Sequence, residues 1–237
     1  MVAFEVAPSL SRVGARKDGE RLASEIAAAR VKDPTKRKQL EEPLYGEVDY
    51  ELRLLDGDAR AGGVVYDGRM LAEVLMRMIG EAGLGVAHVV LTDRLVSTFS
   101  QEDLRHHLRT VVLGFPSIVS IPGIVEAPAK PRSYYVKKQA MEMMGASQLE
   151  MERLKEQFRG SFVDYGDPAM IEVLKGLLLQ AVMFHLTLRP FCGNRTCRLF
   201  NAHWQEELLA SQVAPDGVCS THRSQLRMLS KKPFLRW

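Results

Sequence analysis

Three cysteines and one histidine near the C-terminus have the spacing of a metal site. They form the pattern Cys192-x4-Cys197-x21-Cys219-x2-His222, which is two close pairs separated by a longer segment. Zinc with a structural role is held in a closed tetrahedron by thiolate sulfur and imidazole nitrogen. The pattern therefore predicts one structural zinc ion, held by these four residues, in a module that spans residues 191–225.

The pattern leaves two alternatives open. His203 could replace His222 as the fourth ligand, or the three cysteines could be unrelated buried side chains. A disulfide framework is not indicated, because such frameworks spread an even number of cysteines along a secreted chain. Thiols clustered in one stretch favour a reducing compartment. We therefore expect the protein to be cytoplasmic.

The composition is that of an ordinary globular protein. Of 237 residues, 46% are hydrophobic and 26% are charged, and the net charge of +3 does not by itself indicate nucleic acid. The most apolar stretch, residues 171–191, carries Glu172, Lys175, His185 and Arg189. A membrane-spanning helix needs about 20 nearly uncharged residues, and the first residues lack the apolar core of a signal peptide. We therefore expect no membrane partner.

Two regions of the chain differ in character. Residues 1–45 are rich in charge, including the run Lys36, Arg37 and Lys38. They are predicted to be an N-terminal extension, either a solvated appendage packed on the domain or a basic arm. Residues 46–237 are predicted to form the main domain, which includes the zinc module.

Apolar spacing predicts an α/β fold with a small mixed sheet, packed helices and the C-terminal zinc module. Strands are expected at 47–55, 64–66 and 87–92. One or two edge strands are expected within 109–125, where prolines interrupt the apolar run. Helices are expected at 18–30, 67–83, from Ser100 onward, 134–159, 167–188 and 200–212.

The cysteine array, together with the segment before it, resembles the archaemetzincins, which are small zinc metallopeptidases of the metzincin group. Their signature is a helix reading H-E-x-x-H-x-x-G-x-x-H, followed by C-x4-C-x-M and later by C-x2-C. Cys192, Cys197 and Cys219 match the cysteines, and His222 replaces the last one. Three upstream segments are also similar, so that the resemblance covers residues 46–225: YDGRMLAEVLMRMI, HVVLTDRLV and GFPSIVSIPGI. It implies a metzincin-like domain with a structural zinc.

The chain departs from this family where catalysis would take place. In the segment AVMFHLTLRPFC the first zinc histidine falls on Ala181, the general base on Val182 and the third histidine on Phe191. Only the second histidine, His185, is kept. A catalytic zinc needs three protein ligands and a base that activates water. The resemblance therefore implies a peptidase-like protein without catalytic residues, whose former site is filled by the hydrophobic side chains of Val182, Leu188 and Phe191.

Three functions compete. The first is a non-catalytic zinc protein that binds an unknown protein or peptide in a groove between residues 114–124 and 167–188. The second is an active, atypical zinc peptidase with a site rebuilt around His185 and the segment His203 to Glu207. The third is a nucleic-acid-associated zinc protein that uses the basic arm and a basic C-terminal run: Arg223, Arg227, Lys231, Lys232 and Arg236.

Overall fold

The computed structural model describes residues 16–38, 40–58, 61–79, 85–213 and 217–231. They form a mixed α+β fold, which confirms the predicted fold class. The helices are α1 (Arg16–Ala28), α2 (Tyr45–Asp56), α3 (Gly68–Ile79), α4 (Ile121–Glu126), α5 (Arg132–Met143), α6 (Gln148–Gln157), α7 (Ala169–Thr187), α8 (Gln205–Gln212) and α9 (Ser220–Lys231). The strands are β1 (Val65–Asp67), β2 (Val89–Thr92), β3 (Leu95–Ser100), β4 (Arg105–Arg109), β5 (Val111–Val112) and β6 (Ser117–Ser120).

The strands form two small mixed sheets of three strands each, in the orders β1-β3-β4 and β2-β6-β5. β1 runs parallel to β3, and β4 is antiparallel to β3. β2 runs parallel to β6, with Val89 opposite Ser117, and β5 is antiparallel to β6.

Strand β6 lies at the centre of its sheet, although its flanking prolines suggested an edge. All four of its residues are buried. Ile118 belongs to a cluster with α1, α2 and α3, whereas Val119 belongs to a cluster with α7 and α8. Successive strand residues point to opposite faces, so helices cover β6 on both sides. The edge prediction was wrong for β6, because Pro116 precedes the strand and Pro122 lies in the first turn of α4, and neither interrupts the ladder. β5, the other strand of this region, lies at the edge of the sheet as predicted.

Residues 47–55 were predicted to be a strand, but they belong to helix α2. Glu51 and Leu55 are buried, and Val48 and Leu52 pack against the same core, which is helical spacing. Glu47 accepts a hydrogen bond from the amide of Leu44 at the start of the helix (2.8 Å). Gly57, with φ 81°, ends it in a left-handed conformation. The apparent alternation of the sequence was therefore misleading.

The helix expected from Ser100 onward is a β-hairpin. Ser100 ends β3 and is paired with Arg105 on the antiparallel strand β4. The Oγ atom of Ser100 accepts a hydrogen bond from the amide of Glu102 (3.2 Å). Leu104 takes the left-handed conformation with φ 53° as the turn closes. A serine that can cap a helix thus stabilises a turn instead.

Residues 134–159 were predicted to be one helical stretch, and they form two helices, α5 and α6, that contact each other. Gly145, with φ 72°, lies in the turn between them. Ser147 caps α6, and its Oγ accepts a hydrogen bond from the amide of Glu150. Tyr134, Leu154 and Phe162 form a small apolar cluster of their own. α5 and α6 contact each other more than they contact any other helix or strand.

Helix α7 begins and ends close to the predicted bounds. Just before the helix, the side chain of Asp167 accepts a hydrogen bond from the amide of Ala169, the first residue of α7 (2.8 Å). Within the described residues, α7 is the one helix that is long and apolar enough to cross a membrane by length and composition. About a third of that window is buried inside the fold (33%). The core helix of a globular domain meets the same criterion.

Helix α1 belongs to the apolar core. Leu22, Ala23 and Ile26 lie in one cluster with residues of α2, α3 and both sheets. The domain boundary at residue 46 stays a prediction. The first 15 residues, the end of the predicted helix 67–83, and Lys232 and Arg236 lie outside the described residues.

Glu51 is a fully buried carboxylate between α2 and the first sheet. It accepts hydrogen bonds from Arg30 (2.7 and 3.0 Å), from Arg94 (2.8 and 3.2 Å) and from the Tyr66 hydroxyl (2.6 Å). Burial, and then the charge of Glu51, raise the pKa of Tyr66 far above its usual value. A buried charge is tolerated only when it is paired. This network therefore ties α1, α2, β1 and the start of β3 together.

Candidate metal centre

The first knuckle of the candidate metal centre, residues 192–197, is a tight turn held by backbone hydrogen bonds. The amide of Cys192 donates to the carbonyl of Leu199 (2.8 Å), and the amide of Cys197 donates to Asn194 (3.0 Å). The amide of Asn194 in turn points at the Sγ of Cys192 (3.3 Å). Burial raises the pKa of Cys192 by more than this amide–sulfur contact lowers it.

The second knuckle leads into helix α9, which the sequence did not predict. Gly217 takes a φ of 67° and its carbonyl accepts a hydrogen bond from Arg198 (2.8 Å). The carbonyl of Cys219 accepts a hydrogen bond from Arg223 in the first turn of α9 (2.9 Å). Cys219 therefore lies at the helix N-terminus, which places His222 beside it. The amide of Cys219 also points at the Sγ of Cys197 (3.4 Å).

The four predicted ligands converge. The Sγ atoms of Cys192, Cys197 and Cys219 and a ring nitrogen of His222 all lie within 4.8 Å of one another. The two sulfurs of Cys192 and Cys219 are 3.9 Å apart, and Nδ1 of His222 is 3.8 Å from Cys197 and 3.2 Å from Cys219. A regular tetrahedron with zinc bond lengths gives about 3.8 Å between sulfurs and about 3.6 Å between sulfur and nitrogen. The cluster is therefore able to bind a metal ion.

The thiols of the cluster differ in acidity. Burial raises the pKa of Cys192 to about 11. The backbone amide of His222 donates to the sulfur of Cys219 and lowers its pKa to about 6. Metals bind thiolates, so metal binding must release the proton that Cys192 would otherwise keep near neutral pH.

Comparison with known proteins places the chain in a family. A family model described as a probable metallopeptidase family (DUF6775) matches residues 2–229. The chain belongs to this family. No curated protein and no solved structure matched it. The name of the family directs attention to α7, where the resemblance to archaemetzincins would place a catalytic zinc.

The catalytic positions implied for a metallopeptidase carry no converging ligands. Ala181 is buried, and Val182 is half-buried on α7. The ring of His185 meets the ring of Phe115 edge-on, with centroids 5.4 Å apart. Among the described residues, the Cys3His cluster is the one group of three or more potential ligands that converges. His203 does not belong to it, because its exposed ring contacts Asn201 (3.4 Å).

Two hydrophobic residues expected to fill the former site point outward instead. Leu188 is 64% exposed and Phe191 is 43% exposed. Buried apolar side chains occupy part of the region where a groove was expected between residues 114–124 and 167–188. Val119 of β6 shares an apolar cluster with Val173 and Leu177 of α7. Helix and strand therefore share a core along this stretch.

Polar side chains that the sequence analysis missed fix the metal cluster to α7. Gln180 donates to the carbonyl of Phe200 (3.0 Å), and Arg198 forms an ion pair with Glu172 (2.6 Å). Cys197 is fully buried beside Met183 and Leu199. Gln180 was the signal in the sequence that could have indicated this attachment. It stands among apolar residues of the helix, and a buried amide requires hydrogen-bond partners.

Proposed function

We propose that this protein is a non-catalytic, zinc-binding member of its family that works by binding a partner. The convergence of four ligand atoms within 4.8 Å is the observation that carries the proposal. Three thiolates and one imidazole are a common ligand set of structural zinc. Four protein ligands leave no coordination position for water or substrate, so a metal held here stabilises the fold without taking part in hydrolysis.

The absence of catalysis is proposed from α7. A hydrolytic zinc needs three ligands and a base, and the positions that the archaemetzincin resemblance assigns to two ligands and the base are Ala181, Val182 and Phe191. The remaining histidine, His185, packs against Phe115. One imidazole does not hold zinc at useful affinity. A protein or peptide partner and a cytoplasmic location remain part of the proposal.

Elemental analysis of the purified protein tests both parts. We expect one zinc per chain in the wild type and in the His185→Ala and His203→Ala variants, and loss of that zinc in Cys192→Ser. We also expect no hydrolysis of casein by the zinc-loaded protein. A second zinc that survives in Cys192→Ser and is lost in His185→Ala would overturn the proposal and favour an active peptidase. Zinc lost in His203→Ala would instead change the assignment of the fourth ligand.

A further inference from the structure

Leu188 ends α7 in a conformation that suits leucine poorly. Its φ of 55° and ψ of 14° are left-handed, and helices that end this way usually place glycine or asparagine there. The side chain is also 64% exposed, so burial does not compensate for the strain. Strain of this kind is a reason to look for a function. An exposed apolar side chain on a strained backbone is therefore a candidate for contact with another molecule.

Other exposed apolar side chains lie on segments next to the end of α7. Phe191 follows it, and Phe115 is 40% exposed and contacts Phe184, one turn earlier on α7, with ring centroids 5.5 Å apart. Val86 is 56% exposed and precedes β2, whose start is paired with the start of β6 just after Phe115. We call these four residues the apolar rim: Val86, Phe115, Leu188 and Phe191.

Arg189 gives the apolar rim a positive charge. It lies between two residues of the rim, Leu188 and Phe191, and is exposed. The segments that carry the rim, residues 85–92, 110–118 and 173–200, contain no aspartate or glutamate, and Lys175, Arg195 and Arg198 within them pair with Glu172 and Glu207. A patch that combines leucine and phenylalanine with an exposed arginine is complementary to a surface that is both apolar and anionic. The headgroup boundary of an anionic lipid bilayer has these two properties.

We propose that the apolar rim docks this protein onto the surface of anionic membranes. Leu188 and the two phenylalanines enter the headgroup boundary, and Arg189 contacts anionic headgroups. The expectation of no membrane partner rests on the charges within residues 171–191, which disfavour a membrane-spanning helix. A surface contact needs no such helix and replaces that expectation. A bound peptide would favour a cleft, and two cavities among the described residues, of about 510 and 270 Å³, lie away from the rim. They are lined by α1 and α3 and by Trp204. The inference goes beyond the proposed function and does not depend on it.

Vesicle co-sedimentation of the zinc-loaded protein tests the proposal. The wild type is expected to sediment with vesicles of phosphatidylglycerol and phosphatidylcholine, and less at high salt or with phosphatidylcholine alone. Leu188→Asn removes the apolar contact in a residue that accepts the left-handed conformation, so the fold is kept. Loss of one buried leucine should weaken binding about tenfold. Arg189→Glu should weaken binding to the anionic vesicles alone.

Met143→Ser is the matched control, since Met143 is 82% exposed on α5, outside the rim. It should sediment like the wild type, and thermal melting should show that Leu188→Asn remains folded. The proposal is overturned if the wild type stays in the supernatant, or if Leu188→Asn sediments as well as the wild type. It is also overturned if light scattering shows a dimer that Leu188→Asn dissociates while no variant binds vesicles. In that case the rim contacts a second copy of the chain.

Discussion

Gly176 in the middle of α7 lies directly against the side-chain amide of Gln212 at the end of α8, and a methyl group at position 176 would overlap that amide. Both residues are buried. Gln212 also donates from Nε2 to the carbonyl of Arg198 (3.1 Å), next to Cys197. The close approach of glycine and glutamine therefore holds α8 and the exit of the first knuckle against α7.

Gly176→Ala should destabilise the protein, although alanine is the better helix former. The added methyl group overpacks the interface with Gln212, which typically costs about 1–3 kcal/mol. Urea unfolding measures the change. Gly46→Ala in α2 is the control, because nothing lies within 4 Å of a methyl group there, and it should stabilise by about 0.5–1 kcal/mol. If both variants gained the same free energy of unfolding, the side chain of Gln212 would not be fixed against Gly176.

Removal of the metal should lower the thermal stability. Free zinc at 1,000 times its dissociation constant stabilises the form that binds it by about 4 kcal/mol. For a chain of this length, that corresponds to a fall in Tm of about 8–16 °C after chelation. Scanning calorimetry with and without chelator checks this, and re-addition of zinc should restore the Tm. In Cys192→Ser, chelator should have little further effect.

Glu51→Gln should be strongly destabilising. Replacing the carboxylate by an amide leaves Arg30 and Arg94 with two nearly buried positive charges and no anion between them. Breaking a buried ion pair in this way costs about 3–5 kcal/mol. Chemical denaturation gives the value, and Glu73→Gln, an exposed position on α3, should change stability by less than about 0.5 kcal/mol. A small effect at position 51 would mean that the two arginines reach water.

Stability should fall on acidification because of His106. Burial lowers the pKa of its imidazole, and Asp67 opposes that effect only in part. The unfolded chain therefore binds this proton more readily than the folded one, so the contribution of His106 to stability is present above the ordinary histidine pKa of about 6.5 and is lost as pH falls below it. Tm values from pH 5 to 8 should drop less steeply for His106→Gln. His203→Gln, at an exposed position, should follow the wild type.

The convergence of the three cysteines with His222 and the start of α7 could be predicted from the sequence because the deciding interactions are local. The cluster residues lie in two short turns, and α7 begins beside Asp167 and Pro168. Features that depend on distant partners could not be predicted. The apolar residues of 47–55 fit the strand period and the helix period almost equally. In the helix, Glu51 lies on the buried face, where it is paired with Arg30 and Arg94, which are distant in sequence. The exposure of Leu188 and Phe191 could not be predicted either, because it depends on how closely α7 packs onto β6.

The helical pair α5 and α6 has a further consequence. Its cluster of Tyr134, Leu154 and Phe162 is small, and few of its contacts reach the rest of the fold. Such a unit opens by itself at a lower free energy than the global transition. Amide hydrogens of α6 should therefore exchange with deuterated solvent faster than those of α7, and proteases should first cut the chain in the turn at Gly145. After limited digestion, the two fragments should therefore stay associated as a nicked molecule, in which the metal cluster and β6 remain in place.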